Sequence, residues 1–338
     1  MSGTEDYRGL GWEFGSLVVQ RHAAMLAPIT FLLKDGRQVS PMQVAPWAYE
    51  PGAENISAVE RRLRGEWPCL PFGYTSPPDG FPAEWASVMK PAEPGELPHG
   101  YSSNHGWTWE EAPAGSLSLS IDCPEPDPIR RLERTITPDP GAPAGDIELR
   151  VHARLLCRLP LGLHPPSRLP AEAGGARIEP GRFDHGLTYP ASVDDATPVF
   201  AAGQRFTDLS AVPARNGGTV DASAIPLAQP TEELLQLNGI DGTAALAFPA
   251  ESYRVRLTWQ KEHLPSLLLW MSNRGRKGHP WNGRHVALGM EPICSPFGLG
   301  AAVAAADNPI ARAGTPTAIA FDPATPFVTR YRIAAEAL

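Results

Sequence analysis

The chain has no run approaching 18 consecutive apolar residues, no dense cluster of Lys and Arg, and no cysteine pair spaced as CxxC. The first absence excludes a membrane-spanning helix, which needs about 20 apolar residues to cross the hydrocarbon. The second excludes an extended phosphate-binding surface: 29 Lys and Arg against 37 Asp and Glu leave a formal net charge of −8, so nucleic acid is not an expected partner. The third argues against a zinc site, since Cys69, Cys123, Cys157 and Cys294 lie far apart, and buried reduced thiols are the simpler reading. The N-terminal stretch "MSGTEDYRGLGWEFG" carries acidic residues where a secretory leader carries basic ones, and no apolar segment follows it, so a cytoplasmic protein is expected. GxSxG, GxxxxGK[ST] and HExxH are also absent, which leaves hydrolase-elbow, P-loop and zincin chemistry without local support. "FGLGAAVAA" starts as a dinucleotide-binding glycine pattern, but Val303 occupies the third glycine position and no long helix follows.

What the sequence has in abundance is punctuation and alternation. With 38 Pro and 32 Gly spread through 338 residues, long helices are scarce. In "DIELRVHARLLCRL" the residues Ile147, Leu149, Val151, Ala153, Leu155, Cys157 and Leu159 take alternate places, the signature of a half-buried strand. "YRVRLTW", "PFVTRYRI" and "SLSLSID" repeat the pattern, and "ITFLLKDGRQVSPM" reads as a hairpin turning at Asp35-Gly36. One helix is expected in "PTEELLQLNG", which has Pro and acidic residues at its start and Asn-Gly at its end. Many strands without a βαβ rhythm predict antiparallel β, as a large sandwich formed by residues 1–338 as one domain. The Pro/Gly/Asp-rich stretch 165–230 then reads as a long loop excursion over one face.

A few residues stand out against this background. Glu291, in "PWNGRHVALGMEPICSPFG", is a lone carboxylate in an apolar run, and such a group is either held by hydrogen bonds or kept for chemistry. His164 follows the long alternating strand beside rigid prolines, where one orientation is easily held. His99 lies in "LPHGYSSNHGWTW", where Gly100 permits close backbone approach and Trp107 and Trp109 offer flat apolar faces to a sugar. Asp241, in "NGIDGTAALAF", has a turn-forming reading of its own, and Arg64, in "RRLRGEWPCLPFG", is either a surface cation or an arginine pinned beside a site.

Taken in order, these stretches resemble the aldose 1-epimerase (galactose mutarotase-like) superfamily, with some motifs similar to its hexose-6-phosphate mutarotase branch. "LRGEWPCLPFG" resembles that branch's RGG-I-P motif, and "LPHGYSSNHGW" its HGF-A-R-N-x-x-W motif. "LPLGLHPPSRLP" looks like the family's histidine-proline-aromatic motif, "GIDGTAALAF" like the segment carrying a sugar-binding aspartate, and "ALGMEPICSPFG" like the terminal glutamate-proline motif. The resemblance implies an antiparallel β-supersandwich and a cofactor-independent isomerase that interconverts the α and β anomers of a monosaccharide or modified aldose. In that role Glu291 is the general base, ionised, and His164 the general acid, protonated. His99 and Asp241 hold the sugar, and Arg64 contacts ring or C6 substituents. No metal or cofactor is required. The motif arginine falls at Ser103, so one cation that would grip a sugar phosphate is missing, with His105 or Arg168 as substitutes, and a neutral or differently substituted aldose is expected. Pro166 stands where the family has an aromatic, and the segment 182–218 resembles no motif. The alternative is a carbohydrate-binding protein on the same fold without turnover.

Overall fold

The computed structural model describes residues 6–52, 55–74, 80–91, 95–194 and 196–338. The first five residues of the acidic N-terminal stretch lie outside them.

The alternation read from sequence becomes two large antiparallel sheets. A nine-stranded sheet contains Tyr253–Trp259, Phe327–Ala337, Ala144–Ala153, Ile129–Pro138 and Leu117–Asp122 as consecutive neighbours. An eight-stranded sheet is centred on Thr231–Asn238, Ser266–Asn273 and Val286–Cys294. Alternate residues from both, among them Ile147, Leu149, Val255, Ile333, Leu235, Leu269 and Met290, are buried in one shared core. The expected hairpin is present: Leu26–Leu32 pairs with Gln38–Val39 across a turn in which Gly36 takes a φ of +87°. No helix among the described residues is long and apolar enough to cross a membrane.

Three expectations are corrected. "PTEELLQLNG" is not a helix but the strand Thr231–Asn238, an interior strand buried on both faces. Burial on both faces erases the polar alternation that marks a strand, leaving acidic residues whose position imitates a helix start. Those carboxylates are accommodated inside: Glu232 accepts from the Trp270 indole at 2.7 Å, and Glu233 from the Thr231 hydroxyl at 2.7 Å. The long alternating strand stops at Ala153, where Arg154 ties the chain to the carbonyls of Asp127 and Cys123, and Cys157–Leu159 pairs separately with Ile319–Phe321. The stretch 165–230 is no bare loop. It edges both sheets, Ala176–Pro180 pairing with Thr243–Phe248 and His185–Thr188 with Thr231–Asn238.

A second apolar cluster lies on the other face of the eight-stranded sheet. There Leu268, Trp270 and Ile293 meet Trp47, Val59, Leu63, Trp67, Phe72 and Trp85 from the N-terminal third. The sheet is therefore a middle layer, with the shared core on one side and this cap on the other. A cavity opens between the sheet and the cap.

Candidate active site

Strand register brings the leading pair together. Leu161–Leu163 and Pro166–Arg168 both pair with Val286–Cys294, through Gly162↔Ile293 and Pro166↔Gly289. His164 and Glu291 lie midway between those two pairings, so they face each other across the ladder. Glu291 Oε1 is 3.4 Å from His164 Nε2 and has no hydrogen-bond partner, and His164 Nδ1 is likewise buried and unpartnered. Period 2 decides the surroundings: Leu288 and Met290 point into the shared core, whereas Gly289 and Glu291 face the cap. Gly289 leaves the carboxylate its place, since a Cβ there would lie 2.2 Å from Glu291 Oε1 and 3.2 Å from the Trp270 Cβ.

The pair sits in a cavity of about 210 Å³. His164 stacks on Trp67 at 4.1 Å between ring centroids and meets His99 edge-on at 5.3 Å and Trp270 edge-on at 5.4 Å. His99 precedes the short helix Gly100–Asn104 with a φ of +59°, and its Nδ1 accepts the Gly73 backbone N–H at 3.4 Å. The neutral ring therefore carries its proton on Nε2, where it can donate to a ligand. Tyr189 and Asp194, from the segment that matched no motif, line another wall, and Trp281 and Arg276 complete it.

Electrostatics correct one expectation. Burial pushes the Glu291 carboxyl well above the ordinary range, and burial, reinforced by His99, pushes the His164 imidazole well below its own. Burial therefore favours a resting pair in which both groups are uncharged, rather than an ionised glutamate opposite a protonated histidine. Burial also lowers His99, to about 4.

Of the other expected site residues, none lines this cavity. Trp107 is fully buried in the shared core, and its indole donates to the Ser102 carbonyl at 2.9 Å. Arg64 lies against Tyr49 and Tyr7, donating to the Tyr49 hydroxyl at 2.7 Å. Asp241 stands at the turn after Thr231–Asn238, 3.9 Å from the Arg182 guanidinium. Neither proposed substitute for the missing arginine reaches the cavity: Arg168 is bound to Glu251 at 2.5 Å, and His105 stacks on Tyr101. The cavity cation is instead Arg276. Its signal in the sequence was only a basic turn, "SNRGRKGHPWNGR", whose Trp281 and Arg276 pack together at 4.3 Å. Among the described residues, no group of three or more His, Cys, Asp and Glu side chains is placed to hold a metal ion.

Comparison with solved structures places this architecture. The GalM/aldose epimerase homologue from C. elegans superposes with a TM-score of 0.65 at 16% identity, covering 98% of this chain and 99% of the other. The chain has the galactose mutarotase-like fold. The Slr1438 protein from Synechocystis sp. PCC 6803 matches with a TM-score of 0.61 at 15% identity, over 100% of this chain and 99% of that one. The galactose mutarotase related enzyme from Lactobacillus acidophilus matches with a TM-score of 0.61 at 13% identity, over 98% and 97%. No protein-family model matches the sequence, and no curated protein matches it.

Proposed function

We propose that the protein is a cofactor-independent mutarotase acting on a single-ring aldose. The observation that carries this is the facing of Glu291 and His164 at 3.4 Å inside a cavity, each with a buried unpartnered atom. Structural carboxylates elsewhere in the chain are tied down: Glu66 is gripped by Arg134 and Tyr331, and Glu232 by Trp270 and Ser272. Glu291 is left with a histidine and open space. Fold similarity to proteins described as mutarotase-like supports the reading.

The chemistry follows from the pair. In ring opening, Glu291 takes the proton from the C1 hydroxyl while His164 gives one to the ring oxygen, and the electron pair of the C1–O5 bond goes to that oxygen. The product is the open-chain aldehyde. Rotation about C1–C2 presents the other face of the carbonyl, and reclosure returns both protons to their owners. Such a cycle needs one transferable proton and one vacant lone pair between the two side chains. Burial favours the form in which Glu291 keeps that proton, and the sugar's hydroxyls supply the polar contacts that favour the ion-paired form once bound. His99 donates to the sugar from Nε2, and Trp67 and Trp270 supply apolar walls. Arg64, Asp241 and Trp107 lie outside the cavity and make no contact with the sugar in this reading. The cavity is smaller than the ~300–1,000 Å³ usual for drug-sized ligands, which suits one ring rather than a glycan.

Exchange NMR of α/β interconversion, run on a panel of free and phosphorylated aldoses with wild type and E291Q, tests the proposal. Acceleration for one sugar class that disappears in E291Q supports it. Sugar binding without acceleration anywhere in the panel would leave a carbohydrate-binding protein.

A further inference from the structure

Arg276 is the one Arg or Lys among the described residues lining the cavity, where Glu60, Asp194 and Glu291 also contribute carboxyl groups. Its charge is already engaged. Arg276 Nε lies 2.5 Å from Asp194 Oδ2 and 3.5 Å from Glu232 Oε1, so two carboxylates compensate one guanidinium. The arrangement is built rather than incidental: Glu232 is fully buried and fixed by donors from Trp270 at 2.7 Å and Ser272 at 3.2 Å, and the guanidinium lies 4.3 Å from the Trp281 ring and 5.4 Å from that of Trp270. A phosphate or carboxylate on the ligand would need an uncompensated cation with free bidentate geometry, and would instead approach carboxylates.

We infer that Arg276 and Asp194, backed by the buried Glu232, form a charge-compensated wall that selects an uncharged aldose and rejects its anionic forms. This rests on the mutarotase reading for the kind of ligand, and assigns specificity to residues outside the acid/base pair. Arg276 here offers hydrogen bonds and a rigid aromatic-backed surface to hydroxyl groups, with no net positive charge to spare.

The test compares binding of an aldohexose, its 6-phosphate and the corresponding hexuronate by ligand-observed NMR titration, with anomer exchange recorded in parallel. Wild type is expected to bind the neutral sugar at least about tenfold more tightly than either anion. D194N removes one counter-charge and is expected to shrink that preference by about tenfold. Asp194 has a φ of +50°, a conformation Asn tolerates well, so the backbone is kept. E232Q retains an acceptor for the Trp270 indole and gives the same readout from the other carboxylate. Wild type preferring an anion, or a preference unchanged in both variants, overturns the wall, as does failure of all three sugars to bind. Selective binding of the neutral sugar without anomer exchange leaves the wall standing and removes the mutarotase reading.

Discussion

The two faces of the eight-stranded sheet are made from the same three strands and differ in how their polar groups are treated. Toward the nine-stranded sheet, Thr231–Asn238, Ser266–Asn273 and Val286–Cys294 present Leu235, Leu237, Leu267, Leu269, Met271, Leu288 and Met290 within the shared core, and the polar Thr231, Glu233 and Asn273 at the strand ends are all hydrogen-bonded. Toward the cap the alternate positions are Glu232, Leu234, Trp270, Ser272, Gly289 and Glu291. Both faces are buried, yet only one holds polar groups that lack partners. An apolar face of this kind is explained by the stability it brings, whereas an unpartnered carboxylate and imidazole reduce stability and are explained by what they do.

The comparison is broken most directly on the core face. Leu269→Ala is expected to destabilise the fold by about 2–5 kcal/mol in a denaturant titration, because it empties a fully buried site between two sheets. Surviving folded protein should keep its sugar affinity. The next effect comes from acid. The pKa values of His99 and His285 are lowered by burial to about 4 and about 3, so the unfolded chain binds protons there below pH ~6.5 and the native state does not. Stability contributed by each is complete above that value and falls with pH by about 1.4 kcal/mol per unit until the native pKa is passed. The buried carboxyls of Glu233, raised to about 7, and Glu291 act in the opposite sense, so the histidine contribution is read as a difference: between pH 7 and 5 the wild-type denaturant midpoint should lose ground relative to that of H285N. Parallel pH profiles for wild type and H285N would contradict a neutral His285.

A sharper separation of the faces uses Gly289→Ala. The added Cβ displaces the far end of the flexible Glu291 carboxylate and presses on the Trp270 Cβ at 3.2 Å, so stability should fall by about 1 kcal/mol. Anomer exchange should fall by about 10–100-fold, since displacement of a catalytic group by about 1 Å costs that much. The smallest effect is expected from Trp107→Phe. It removes one buried hydrogen bond to Ser102, worth about 1 kcal/mol of stability, and leaves sugar affinity and exchange unchanged.

The same contrast explains what was legible in the sequence. Strands with one polar face, such as Tyr253–Trp259 and Leu117–Asp122, announce themselves by alternation. Thr231–Asn238 does not, because both of its faces are buried, and it imitates a helix. Glu291 and His164 were readable as oddities, a carboxylate in an apolar run and a histidine at a strand end, and the register makes them neighbours. Arg276, Asp194 and Trp270 were not, since they come from an irregular turn, an unmatched segment and an apolar strand that only folding brings to one wall. Trp107 misled in the opposite direction: its local setting suggests a sugar platform, but its alternating position carries it into the core.

The role of Glu291 is decided by one paired measurement: anomer exchange and the denaturant midpoint of wild type and E291Q, side by side. Exchange is expected to fall by about a thousandfold or more while the midpoint stays level or rises, because a buried carboxyl oxygen with no partner contributes chemistry and not stability. A variant that loses several kcal/mol of stability yet still exchanges anomers at the wild-type rate would contradict it.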